Sequence, residues 1–223
     1  MTSNPVHQFS LAHFWAQGDA ISHAVAYLLL LMSLASWYFI LSKSWSAWRI
    51  RRSALAIDGF WAAPGMPDAI AALTLADREG IYLPLVVQGA KHAATAGAPA
   101  LSRQLDGGEQ VTRVLRQEIN RSTQRLESGL AVLASIGATA PFVGLLGTVW
   151  GIYYALAAVA AAGTLQIDKV AGPVGEALIM TGLGLAVAIP AVLAYNGLNR
   201  VNRLTLAELD GFAHDLHAYL TRK

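Results

Sequence analysis

Three long uncharged runs interrupt an otherwise polar chain. Ala20–Leu41 carries no formal charge, nothing ionises between Glu127 and Asp168, and Val174–Leu198 carries only Glu176. A bilayer core about 30 Å thick needs roughly 20 apolar helical residues. The pattern therefore predicts membrane spans over 20–41, 129–163 and 174–198. Around them lie a polar and aromatic leader (1–19), a hydrophilic loop (42–128), a short turn (164–173) and a polar tail (199–223). No period-2 alternation persists anywhere. The expected fold class is thus an all-α integral membrane protein, with helices that extend past the bilayer.

The second run carries the most specific pattern. Gly137, Pro141, Gly144, Thr148, Gly151 and Ala155 recur at steps of three and four, which places them along one side of a helix. In lipid there is no hydrophobic drive between helices, and small residues on one side allow the close approach that replaces it. Thr181, Gly184 and Ala188 form a similar side on the third span. The two sides can face each other or line a narrow polar route. Set beside each other, they are expected to form the wall of a shared central cavity.

The polar segments keep a helical period. The first helix is expected to continue past Arg52 and break at Pro64, Gly65 and Pro67, with short helices over Asp68–Ala76 and Leu83–Ala94 and a connector at Ala96–Pro99. Pro84 suits a first turn. From Glu109 a stripe of Val111, Leu115, Ile119, Ser122, Leu126 and Leu130 runs into the second span with no break signal. This predicts one helix of about 50 residues, about 75 Å long at 1.5 Å per residue. Pro173 suits the first position of the third-span helix. In the tail, Leu198, Val201, Thr205, Leu209, Phe212, Leu216 and Tyr219 hold another stripe.

Composition supports the membrane assignment. Of 223 residues, 55% are hydrophobic and 13% charged, against about 25% charged in soluble domains. A net charge of +2 argues against nucleic acid. The distribution of charge is more informative. Of the 16 Lys and Arg, eleven lie in 42–128, four in the tail and one, Lys169, between the last two spans. By the positive-inside rule the large loop and C-terminus are cytoplasmic and the N-terminus is outside. Trp37, Tyr38, Trp45 and Trp48 form an aromatic belt at the inner edge of the first span. Residues 1–19 lack the basic start of a cleavable signal. They form either a surface-lying amphipathic leader, with Phe14 and Trp15 at the interface, or a frayed terminus.

Little in the chain can do chemistry. There are no cysteines, no HExxH motif and no phosphate-cradling glycine loop, so no catalytic residues, cofactor or metal ligands are assigned and an enzyme is not expected. His214 and His217 read as surface residues. Glu176 is the one charge within the spans. It has two readings: an acidic first-turn residue favoured by the helix dipole if Pro173 begins the helix, or a group near an ion path. Thr148 and Thr181 are isolated hydroxyls near mid-bilayer. The bland account of each is a bond back to its own helix; their small-residue company points instead to a polar route. Glu176 and Thr181 are about 140° apart on a helical wheel and cannot both point into one pore. Pro141 and Pro190 each remove a backbone donor. A packing kink is the simpler account, a hinge or exposed carbonyl the functional one. A proton path needs titrating groups, and these spans hold almost none. The titrating carboxylate is expected to come from another polypeptide.

SIGATAPFVGLLGTVWGIYYAL (135–156), followed by GPVGEALIMTGLGLAVAIPAVLAYN (172–196), resembles the MotA/TolQ/ExbB proton-channel family, on its ExbB/TolQ branch. The likeness is close over the last two spans and extends to the whole topology. It implies a homopentamer around a small single-span ExbD-like or TolR-like partner whose Asp carries the proton. It implies an inner-membrane complex that uses the proton motive force to energise a TonB-like or TolA-like protein. The family's pore threonines map onto Thr148 and Thr181, and its third-span glutamate onto Glu176. Gly144, Gly151, Gly184, Pro141 and Pro190 are then packing or kink positions of the pore helices. The ExbB-like reading, energising TonB-dependent uptake such as that of iron chelates, comes first. A TolQ-like role is second, and a non-conducting membrane scaffold is the alternative of a different class.

Overall fold

The computed structural model describes residues 19–94, 107–162 and 167–222. These are helical nearly throughout, in seven helices: α1 (Ala20–Ala54), α2 (Ala56–Trp61), α3 (Met66–Ala76), α4 (Leu83–Ala94), α5 (Gly107–Glu127), α6 (Leu130–Ala162) and α7 (Ile167–Thr221). Among the described residues there is no strand. Stretches within α1, α6 and α7 are long and apolar enough to cross a membrane. The leader apart from Asp19, the connector at Ala96–Pro99 and the first residues after Ala162 lie outside the described residues.

Two of the sequence expectations for helix boundaries are corrected. The predicted continuous helix through the second run is interrupted at Ser128-Gly129, between α5 and α6. Gly129 has φ +80°, a conformation open to glycine and strained for other residues. Phe39 reinforces the choice, since its ring fills the place a side chain would take: a Cβ on Gly129 would lie 2.6 Å from Phe39 Cδ1. Gly129 lies inside the stripe, between Leu126 and Leu130, so the periodicity ran across a glycine that in fact ends α5, as glycine commonly does. The third-span helix starts at Ile167, so Pro173 lies inside it and not at its first position. As the seventh residue it lies past the four N–H groups that have no intrahelical partner, so it removes the bond position 173 would make to the Lys169 carbonyl.

The chain forms two compact units. One comprises Met1–Ile40 and Gly129–Asn196, the other Leu41–Ser128 and Gly197–Lys223. The first unit packs α6 antiparallel to both its neighbours. Towards α1, Gly147 meets Val25 and Gly129 meets Phe39. Towards α7, Gly137 meets Val192, Gly144 meets Thr181 and Gly184, and Gly151 meets Ala177. The α6–α7 crossing is backbone on backbone. A Cβ on Gly144 would lie 2.6 Å from the Met180 carbonyl oxygen, and one on Gly184 would lie 2.7 Å from that of Ala140.

The second unit is built the way a water-soluble domain is. Phe60, Tyr82 and Phe212 meet edge to face, with centroids 5.3 Å (Phe60–Phe212) and 5.7 Å (Tyr82–Phe212) apart. Leu73, Leu85, Leu115, Leu209 and Leu216 close around them. The turn before α4 is held by one buried carboxylate. Asp77 accepts the backbone N–H groups of Ile81 (3.1 Å), Tyr82 (2.7 Å) and Leu83 (2.8 Å), which caps α4. Glu79 of the same turn pairs with Arg49 at 3.1 Å and accepts from Ser46 at 3.0 Å. Lys43 donates to the Arg125 carbonyl and to Ser128 Oγ, both at 2.9 Å, satisfying one of the carbonyls left open where α5 ends.

Candidate functional site

The glycine seam between α6 and α7 holds one polar pair. Thr148 is 5% exposed and donates its hydroxyl to the Leu145 carbonyl at 2.8 Å. Thr181, half-buried on α7, donates to Thr148 Oγ1 at 3.5 Å. The hydroxyls thus form a directed chain from Thr181 to Thr148 to a backbone carbonyl. Because the Thr148 proton is committed to Leu145, the Thr181 oxygen is the acceptor left at the open end. Neither hydroxyl titrates near neutral pH, so the pair can polarise and orient a proton carrier but cannot itself store a proton.

The sequence expectation that the small-residue side of α6 walls a central cavity is corrected. Gly137, Gly144 and Gly151 of that side are covered by α7 of the same chain, and Ala155 on it is buried as well. Small residues on both helices gave no sign of which alternative, partner helix or open route, they serve. The close backbone contact decides for the partner helix. Gly184 belongs to the same seam, while Pro141 and Pro190 lie within α6 and α7 and are partly buried.

Glu176 lies in the third turn of α7, because that helix begins at Ile167; the first-turn capping account of this residue no longer holds. Its neighbour Ala177 packs at Gly151. The Glu176 backbone therefore sits about 7.5 Å along the helix from Thr181, toward the end of the span where α7 starts. Its side chain lies outside the described residues.

Sequence reasoning missed the polar contact at that end of the unit. Asp19 precedes α1 and accepts the Ser22 backbone N–H on Oδ1 at 2.8 Å, as an N-cap does. Its second oxygen, Oδ2, accepts the indole N–H of Trp150 on α6. The His23 ring closes the first turn, its Nδ1 being 2.8 Å from the Asp19 carbonyl. Burial pushes the Asp19 carboxyl up, but the hydrogen bonds from Trp150 and Ser22 outweigh it and hold the group below the usual carboxylate range. An Asp immediately before an apolar run was a readable cap signal. The pairing with Trp150, 131 residues away, was not readable. Elsewhere in this unit the Ser36 hydroxyl is buried without a hydrogen-bond partner among the described residues.

With this geometry in view, the relatives become informative. The profile of the MotA/TolQ/ExbB proton channel family matches residues 88–210, from α4 through most of α7. The chain belongs to that family. A biopolymer transport protein ExbB of Xanthomonas campestris pv. campestris is 45% identical over 209 residues, covering 91% of this chain and 83% of the relative. The ExbB of Neisseria meningitidis is 38% identical over 205 residues, covering 91% and 93%. A Tol-Pal system protein TolQ of Pseudomonas aeruginosa is 41% identical over 115 residues, covering 52% of this chain and 50% of the relative. As a family member the chain is a membrane protein, and the matched residues include both threonines and the whole glycine seam.

Proposed function

We propose that this chain is the ExbB-type subunit of an inner-membrane complex that uses the proton motive force to energise TonB-dependent uptake across the outer membrane. The carrying observation is the 45% and 38% identity to ExbB proteins along nine-tenths of the chain, where a TolQ of Haemophilus influenzae matched over 88% of the chain is 30% identical. The site geometry supports a role in proton movement. In a seam rich in glycine and alanine, two hydroxyls meet and leave one acceptor open. In this reading Thr148, Thr181 and Glu176 flank the proton path, and several copies of the chain, five in the family's arrangement, surround a small ExbD-like subunit. That subunit supplies the titrating Asp and works with a TonB-like protein. The N-terminus is periplasmic, the polar helical unit cytoplasmic, and the chain performs no covalent catalysis. A proton crossing 100 mV releases about 2.3 kcal/mol, which is the energy available per step.

The test is Thr148→Val and Thr181→Val, which keep shape and remove the hydroxyls. Proton-driven uptake of an iron chelate should fall at least tenfold at normal protein levels. Retained uptake in both variants would leave a membrane scaffold as the better account. A TolQ-type role is the second reading, favoured by the similarity to TolQ proteins. It predicts detergent sensitivity and division defects on deletion, in place of an uptake defect.

A further inference from the structure

We infer that Asp19 is a positioning residue that fixes the rotation of α6 through Trp150, and so keeps Thr148 turned toward Thr181. The inference rests on the proposed function for its consequence, though not for its geometry. Thr148 and Trp150 are two residues apart on α6, hence about 200° apart around the helix and about 3 Å apart along it. At one depth, α6 is thus gripped on nearly opposite sides. One grip is the hydroxyl pair with α7, and the other is the indole–carboxylate hydrogen bond to the start of α1.

The two grips are not equivalent. The hydroxyl contact is 3.5 Å long and neutral, the weak end of hydrogen bonding. The Asp19 contact engages an ionised acceptor, and charge-assisted hydrogen bonds are about twice as strong as neutral ones. On the α7 side the glycine seam holds α6 close, and a turn that carried a side chain into it would meet the α7 backbone, so that side resists large rotations. Turning α6 by one residue, 100°, would swing Trp150 off Asp19 and Thr148 off Thr181 together. The α1 side adds the second hold, on the opposite face of α6, and Asp19 is itself fixed because its other oxygen holds the Ser22 N–H. An indole N–H at a membrane edge ordinarily faces water or headgroups. Here it is spent on a defined protein acceptor, which suits a job of orientation.

The test uses the full chain in lipid. Its six tryptophans give six indole 15N–1H signals, and Trp150→Phe identifies the one belonging to Trp150. In Asp19→Ala that signal should shift and its hydrogen should exchange with water at least tenfold faster. Asp19→Asn, which keeps an oxygen acceptor, should fall between. In cells, Trp150→Phe leaves the α1 cap intact yet should lower proton-driven uptake as much as Asp19→Ala does, at normal protein level. The double variant should be no worse than either single, and Asp19→Asn should recover part of the activity. An unchanged indole signal in Asp19→Ala overturns the inference, as does full activity in Trp150→Phe. If the unaltered protein drives no proton-dependent process at all, the proposed function fails, and the indole signal alone decides whether the clamp exists.

Discussion

The two units of this chain sort their side chains in opposite ways. In the polar helical unit the largest residues are inside: Phe60, Tyr82, Leu85 and Phe212 are buried. In the membrane unit Ala140, Ala155, Ala177, Ala188 and Ala191 and the glycines at 137, 144, 147 and 184 are buried beside larger residues such as Leu133 and Met180, while Phe142, Leu146, Tyr153 and Leu193 are exposed. The difference follows from the solvent. Water drives bulky apolar groups together, at about 25 cal/mol per Å² removed. Lipid does not distinguish a leucine facing a helix from one facing an acyl chain, so cohesion comes from how closely backbones approach. In the polar helical unit hydrophobicity sorts inside from outside; in the membrane unit the smallness of the seam residues sets what packs together.

The sharpest way to break this contrast is to enlarge one seam residue. Gly144→Leu adds hydrophobicity and should still prevent α6 from seating against α7, because even a Cβ there would lie 2.6 Å from a backbone oxygen. Loss of mature protein from the membrane, or a collapsed melting transition in detergent, is the expected outcome; normal assembly would show that the seam is not a backbone contact. Next in size is Phe212→Ala in the other unit. Emptying the centre of an aromatic cluster should cost about 3–5 kcal/mol. Proteolysis confined to the polar helices at unchanged membrane insertion would report it.

The smallest effect sharpens the comparison through a buried polar atom. The Tyr82 hydroxyl has no hydrogen-bond partner among the described residues, and burial, then Glu208 and Asp77, push its pKa up to about 12. Below about pH 10, the ordinary tyrosine value, both folded and unfolded states keep the proton. Between 10 and 12 the unfolded chain releases it first, so the stability of this unit should decline through that window. Tyr82→Phe should flatten the decline and, by removing an unsatisfied group, change neutral-pH stability by no more than about 1 kcal/mol. Alkaline thermal melts of the two proteins make the measurement.

The legible parts of the fold are those governed by one-dimensional patterns. The three apolar stretches, the helices around 66–76 and 83–94, and the small-residue side of α6 all follow from hydropathy and period. So does the placing of Thr148 and Thr181 as a pair worth attention. What escaped depended on contacts between distant residues. Nothing near Asp77 announces that its carboxylate closes three backbone groups ahead of α4. The small-residue side said that something approaches closely, but not that it is the next span of the same chain. The Glu176 capping account failed because it assumed that a proline marks a helix start, whereas α7 had begun six residues earlier.

Gly129 and Phe39 carry a consequence for how such a chain can vary. The phenyl ring lies where a side chain at 129 would go, and the backbone there is left-handed. A change at position 129 therefore meets two objections, and shrinking the residue at 39 removes only one of them. Position 39 can drift among smaller residues while glycine remains at 129. The reverse order is closed, which makes this contact a one-way gate in sequence space: substitutions at the two sites are epistatic, and only one of the two can come first.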